Sequence, residues 1–259
     1  MRVVQRGEGE SAYAVVACLH GDEPCGAVAI ERFLASDASL AEPVTFVIAN
    51  ERALDAGVRF VDEDLNRAFP GDSESDSHES RLAARLLTEL DGTRVLDLHS
   101  TRSFADPFAL VQRRSAVTAA LAATTGVSRV VDISAVPGGL VGHVDGVAVE
   151  CGYKGTEAAA ENATRILRTF LAANGLLDAP FQRSDPTLFE VTGVVEGAGF
   201  EFCGRNFERV TAGEVFARRD DEVERAAEPF YPVLMSTDGY DEIVGFQSRR
   251  VGPLSQAEW

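Results

Sequence analysis

The chain has 259 residues, of which 45% are hydrophobic and 25% charged, and a formal net charge of -17. That is the composition of an ordinary globular protein, long enough for one large domain or one domain with a smaller appendage. The charge argues against nucleic acid or an anionic membrane surface as partner, and no apolar run approaches the roughly 18 residues of a membrane span.

The first segment, "MRVVQRGEGESAY", lacks the apolar core of a signal peptide, so the expected location is the cytoplasm. "SAYAVVACL" (Ser11 to Leu19) reads as a buried strand. It is followed by "HGDEPCG", after which Gly26, Ile30, Phe33 and Leu34 fall at helical spacing, with Pro24 in the first turn. "PVTFVIAN" (Pro43 to Asn50) is a second buried strand, and Glu51 to Ser77 reads as loop, punctuated by Gly57, Pro70 and Gly71. Ser77 is placed to cap a helix with a Leu82, Leu86, Leu90 stripe that ends near Gly92. "TRVLDLHS" (Thr93 to Ser100) is a strand ending in a histidine. "PFALV" and "SRVVDIS" are short strands around a helix near Ser115 to Ala123. "DGVAVECG" (Asp145 to Gly152) is a strand ending in a glutamate. A helix follows, with Ala159, Ala163, Ile166, Leu167, Phe170 and Leu171 on one face, closed by Asn174 and Gly175.

Alternation of strands and helices through Gly175 predicts an α/β fold with a mixed, largely parallel sheet flanked by helices. Beyond Leu176 only short strand-like pieces separated by Gly, Asp and Pro remain. The expected division is therefore a catalytic domain over residues 1–178 and a small all-β C-terminal domain over residues 179–259.

Three strands thus end in a polar residue: His20 and Glu23 after the first, His99 after "VLDL", Glu150 after "GVAV". In open α/β sheets, ligands gather at the carboxyl ends of strands. Two histidines and a carboxylate are a known donor set for zinc with a fourth position left for water, although a lone strand-end histidine is more often a hydrogen-bonded loop residue. Of the other two histidines, His78 lies in an acidic, serine-rich loop and His143 in a glycine-flanked turn. "RFVDEDLNRAFPG" places Arg59, Asn66 and Arg67 on one loop, where they form either an anion clamp or a solvated charged face. The four cysteines, Cys18, Cys25, Cys151 and Cys203, show no CxxC spacing and read as reduced thiols, Cys18 as strand packing.

In that order, "HGDEPCG", "DEDLNRAFPG", "LDLHST" and "VAVECG" resemble the succinylglutamate desuccinylase/aspartoacylase family, of the zinc-carboxypeptidase-like superfamily. The resemblance runs from about residue 12 to 175, with a weaker match at "YPVLMSTDGY" (Tyr231 to Tyr240). It implies one zinc ion per chain held by His20, Glu23 and His99, with Asp97 orienting the His99 ring from the same side of its strand. It implies Glu150 as general base and proton shuttle and Arg59 as the group that stabilises the oxyanion. Asn66, Arg67 and Tyr240 are implied as substrate-binding residues, with Asp64 supporting the loop. The implied activity is zinc-dependent hydrolysis of the amide bond of an N-acyl (acetyl or succinyl) amino acid, a small anionic substrate. An ester hydrolase, a carboxypeptidase-like enzyme and a binding protein without turnover stay open as alternatives, as does a homo-oligomer.

The pattern departs from the family in one place. Aspartoacylases carry an arginine just before the catalytic glutamate, whereas Val136 to Val149 contains none, and His143 is the one candidate cation there. Arg102, after the third expected ligand, resembles the desuccinylase pattern and is expected to bind substrate instead. Lys154 is the sole lysine. An acid-rich, lysine-poor surface suits a high-salt cytosol, although a GC-rich genome also favours arginine.

Overall fold

The structure is a computed structural model that describes residues 1–237 and 242–259. In chain order its elements are β1 (Arg2–Arg6), β2 (Tyr13–Ala17), α1 (Cys25–Leu34), β3 (Val44–Ile48), α2 (Glu51–Ala56), α3 (Leu65–Ala68), α4 (His78–Glu89), β4 (Arg94–Thr101), β5 (Phe108–Val111), α5 (Ala116–Ala123), β6 (Arg129–Asp132), β7 (Asp145–Tyr153) and α6 (Glu157–Ala173). The strands β8 (Thr187–Glu196), β9 (Glu201–Phe202), β10 (Val215–Arg219), β11 (Glu222–Arg225), β12 (Tyr231–Val233) and β13 (Ile243–Pro253) follow. No helix among the described residues is long and apolar enough to cross a membrane.

Ten strands form one mixed sheet in the order β1-β3-β2-β4-β7-β5-β6-β8-β13-β12. The strands β3, β2, β4 and β7 run parallel. β5 pairs antiparallel with β7 and so reverses the direction, which β6 and β8 keep. The C-terminal part both extends this sheet, through β8, β13 and β12, and forms a separate small sheet of β11, β10 and β9. Asn206 ties this part to the loop after β4: its side chain donates to the carbonyls of Ser103 (2.9 Å) and Met235 (2.8 Å).

Side-chain alternation sorts the sheet into two faces. One face carries Val15, Ala17, Leu96, Leu98, Val147 and Val149 and packs on α1 and α6 through Ile30, Phe33, Ile166 and Phe170. The other is not uniformly apolar. Ala14, Val16 and Val95 pack beneath Leu82, Leu86 and Leu90. Phe108, Leu110, Val131 and Phe189 form a second apolar cluster with Phe246. Between these two clusters the same face carries Asp97, His99 and Glu150, so the candidate site lies in the gap.

Several local expectations change. β1 is an additional antiparallel edge strand on β3. The stretch read as loop contains α2, capped by Asn50, and α3, capped by Asp64, so Asn66 and Arg67 stand on a short helix rather than a loop. Turns this short are set by their caps and packing rather than by periodicity. Cys18 lies just past β2, in a left-handed conformation (φ 58°), where the chain bends toward His20.

Gly26 is explained by close approach. A Cβ there would stand 2.7 Å from Ala17 Cβ and 2.8 Å from Leu98 Cβ, so the first turn of α1 rests directly on β2 and β4. Gly26→Ala is expected to lift α1 and to destabilise the protein by about 1–3 kcal/mol, the usual range for overpacking, read as a lowered denaturant midpoint.

Candidate functional site

Glu23 begins the site because it is buried (4% exposed) and ionisable. Its Oε2 accepts the Ser100 N–H (3.1 Å) and lies 3.1 Å from His99 Nδ1. Its Oε1 is 2.9 Å from His20 Nδ1 and accepts from Arg59 (3.3 Å). The loop that delivers it is tight: the Gly21 N–H donates to the Arg59 carbonyl (3.1 Å), and a Cβ on Gly21 would strike the backbone of Ala53 at 2.1 Å.

Both imidazoles are oriented from behind. Asp97 Oδ2 lies 2.8 Å from His99 Nε2, and Asp64 Oδ1 lies 3.0 Å from His20 Nε2. The Nδ1 atoms of both rings face Glu23; His99 Nε2 has Asp97 as its partner, while His20 Nε2 lies between Asp64 and Arg59 Nη2 (2.9 Å). Asp64 has two further duties: it caps α3 by accepting the Asn66 N–H (2.9 Å) and it accepts two bonds from the Arg59 guanidinium (3.1 and 2.9 Å).

His20, Glu23 and His99 offer donor atoms that all lie within 4.8 Å of one another, and all three are buried. His20 Nδ1 has no hydrogen-bond partner despite its burial, since its approach to Glu23 lacks hydrogen-bond alignment. A buried nitrogen and carboxylate aimed at a common point fit a cation, and two imidazoles with a carboxylate fit a divalent transition metal.

Electrostatics agree. Burial alone would push Glu23 up, but His20 and His99 hold it well below the usual carboxylate range. Burial alone would push both imidazoles down, but Glu23 and Asp64 hold His20 above its ordinary value, and Asp97 and Glu23 hold His99 well above.

Glu150 is the neighbour of His99 across β4 and β7. Burial pushes its carboxyl up to about 7, and its buried Oε2 has no hydrogen-bond partner. It lines a cavity of about 500 Å³ together with His20, Glu23, Arg59, Asn66, Arg67, His99 and Arg102. That volume is in the range of small-molecule sites. Asn66 Oδ1 accepts the Leu140 N–H (3.0 Å), which fastens α3 to the turn before β7. Arg102 is exposed and also borders a second cavity of about 1010 Å³. His143 is exposed, tilted against Phe69 with ring centroids 5.9 Å apart, and does not line the site cavity. Tyr240 lies outside the described residues.

Two contributors escaped the sequence reading. Glu79, fully buried, accepts from Asn50 (2.9 Å) and from the N–H groups of Val61 (2.7 Å), Asp62 (3.0 Å) and Glu63 (3.3 Å). Burial would raise it, but these donors hold its carboxyl below the ordinary value, so it fixes the loop that carries Arg59 and Asp64. The capping position before Leu82 was the one available hint, and it reads as an exposed helix start. Lys154 forms an ion pair with Asp22, and both line the cavity.

Residues 10–171 match the model of the succinylglutamate desuccinylase/aspartoacylase catalytic domain. The chain belongs to this family. Solved structures with the same fold include a succinylglutamate desuccinylase/aspartoacylase from Rhodobacter sphaeroides (18% identity, 96% of this chain and 89% of that one, TM-score 0.78). The product-bound ectoine utilization protein EutE (DoeB) from Ruegeria pomeroyi is similar (20%, 97% and 88%, TM-score 0.76). So is an aspartoacylase family protein from Mesorhizobium loti (19%, 96% and 89%, TM-score 0.73). No curated protein sequence gave a significant match.

Raised imidazoles have a measurable consequence. Without a cation, Glu23, Asp64 and Asp97 favour the protonated imidazoles, and a metal must displace any proton on the ligating nitrogens. Zinc loading of metal-free protein near neutral pH is expected to release protons, and affinity to fall as pH falls. Calorimetry in buffers of different ionisation enthalpy measures this; buffer-independent heats would refute it.

Proposed function

We propose that the protein is a zinc-dependent amidohydrolase that releases an acyl group from an N-acyl amino acid. The observation that carries this reading is the placement of the partly buried Glu150, whose Oε2 has no partner, beside the His20, Glu23, His99 cluster on the same cavity. Family membership supports the hydrolytic activity, and the donor set supports zinc, which favours two imidazoles and a carboxylate with one position open. A structural or binding protein has no use for a carboxyl held near neutrality and aimed into such a cavity.

Zinc, when bound, supplies a Lewis acid that polarises the acyl carbonyl and makes water more acidic. The chain's own groups do the rest. Asp64 and Asp97 hold both imidazoles with Nδ1 turned towards Glu23. The Glu150 carboxylate takes the proton of the attacking water and passes it to the leaving nitrogen. Arg59, held by Asp64 and Glu23, presents positive charge where the carbonyl oxygen becomes an oxyanion. The Arg67 guanidinium has no polar partner among the described residues and grips the substrate's carboxylate, with Asn66 holding its helix in place. Arg102, at the border of the two cavities, contributes to substrate binding.

Glu150→Gln is expected to lower kcat by about 10²–10⁴ with zinc content unchanged by elemental analysis; near wild-type kcat would refute the assignment. The base must be ionised, so kcat/KM falls as pH falls. Its acid limb is expected at or below the value of about 7 set by burial, because a nearby dication lowers it. A panel of N-acetyl, N-succinyl, ester and peptide substrates separates the amidohydrolase from esterase and carboxypeptidase-like readings.

The net charge of -17 opposes an anionic substrate unless salt screens it. Activity is expected to persist or rise in molar salt, and a steep loss of activity and fold there would count against adaptation to high salt.

A further inference from the structure

The cavity is chemically two-sided. Its ionisable groups sit at the ends of β2, β4 and β7, just beyond them and in the stretch from Arg59 to Arg67. The remaining wall is built by Leu110 on β5, Ile133 and Val136 after β6, Val141 before β7, Ala148 on β7 and Phe246 on β13. Ala148 and Glu150 share a face of β7, and Leu110 is the partner of Ala148 across the β7/β5 seam, so the wall begins directly beside the general base.

The carboxylate grip lies against this wall. Asn66 is bonded to the Leu140 N–H, and a Cβ on Gly138 would stand 3.8 Å from Arg67 Nη1. An amino acid whose α-carboxylate is held by Arg67 therefore has the stretch from Val136 to Val141 beside it. Among the described residues, no lysine, arginine or histidine stands on this wall. Its polar neighbours are Gln112, whose amide donates to the Val136 carbonyl, and Ser236. A side-chain carboxylate placed there loses water and gains no cation, whereas an aliphatic side chain removes apolar surface from water on both partners.

We propose, building on the hydrolase reading above, that this site selects an N-acyl amino acid with an aliphatic side chain, with Leu110, Ile133, Val136, Val141, Ala148 and Phe246 as its side-chain pocket.

Leucine, asparagine and aspartate side chains fork at the same carbon and differ chiefly in polarity and charge. Their N-acetyl derivatives are compared by calorimetry on zinc-loaded Glu150→Gln protein and by kcat/KM on the wild type. The leucine derivative is expected to bind at least about 10-fold more tightly than either of the others, and kcat/KM to follow the same order. Equal or tighter binding of the aspartate or asparagine derivative, or binding of none, overturns the proposal. If the leucine derivative binds but no derivative is hydrolysed, the hydrolase reading fails while the pocket assignment stands. If the aspartate derivative is hydrolysed fastest, the reverse holds. Val136 is only partly buried, so Val136→Arg is expected to fold and to move the leucine-to-aspartate ratio at least about 10-fold towards aspartate; an unchanged ratio in folded variant counts against the pocket.

Discussion

Donors from separate segments converge only if the strands beneath them hold one register. Here Ala17 pairs with Leu98, and His99 pairs with Glu150, across three parallel strands. Those pairings put the bend after β2, the end of β4 and the end of β7 side by side. The apolar packing of Val15, Leu96 and Val147 against α1 and α6 holds the register, because a one-residue slip would turn that face outward. The hydrophobic core thus determines where the charged groups meet.

Gathering buried charge has its own requirements. Five ionisable groups, His20, Glu23, Asp64, Asp97 and His99, lie within a few ångströms, and each is stable because another faces it. Glu79 shows the same principle at one remove: one buried carboxylate organises three consecutive backbone N–H groups and the cap of α2. Removing such a group would leave several buried donors unmet, which is costlier than losing one hydrogen bond. The stretch from Val61 to Asp64 is therefore ordered by charge, whereas Leu65 and Phe69 after it are held by the apolar cluster under α4.

Much of this was legible in the sequence. Continuous apolar runs gave β2, β3, β4 and β7, and Ser77, Ser115 and the Ala159 to Leu171 face gave the helices. The residues expected to hold metal and act as base do share one cavity. What was not legible depends on long-range placement. β1 is a mostly polar edge strand, recognisable as a strand only beside β3. α3 is one turn defined by Asp64, whose capping role cannot be separated in sequence from its grip on His20 and Arg59. The continuation of the main sheet through β8, β13 and β12 follows from pairings across dozens of residues, and local texture carries no record of them.

The reversal of strand direction between β7 and β5 divides labour as well as topology. On one side stand His20, Glu23, His99 and Glu150, at or just beyond the ends of parallel strands held in one register. On the other stand Leu110 on β5, Ile133 and Val136 after β6 and Phe246 on β13, where volume-conserving exchanges carry modest energetic expense. Exchanges beyond the seam leave untouched the pairing that sets His99 beside Glu150. The seam therefore divides the cavity into a part whose geometry is set by strand register and a part whose shape is set largely by side-chain size.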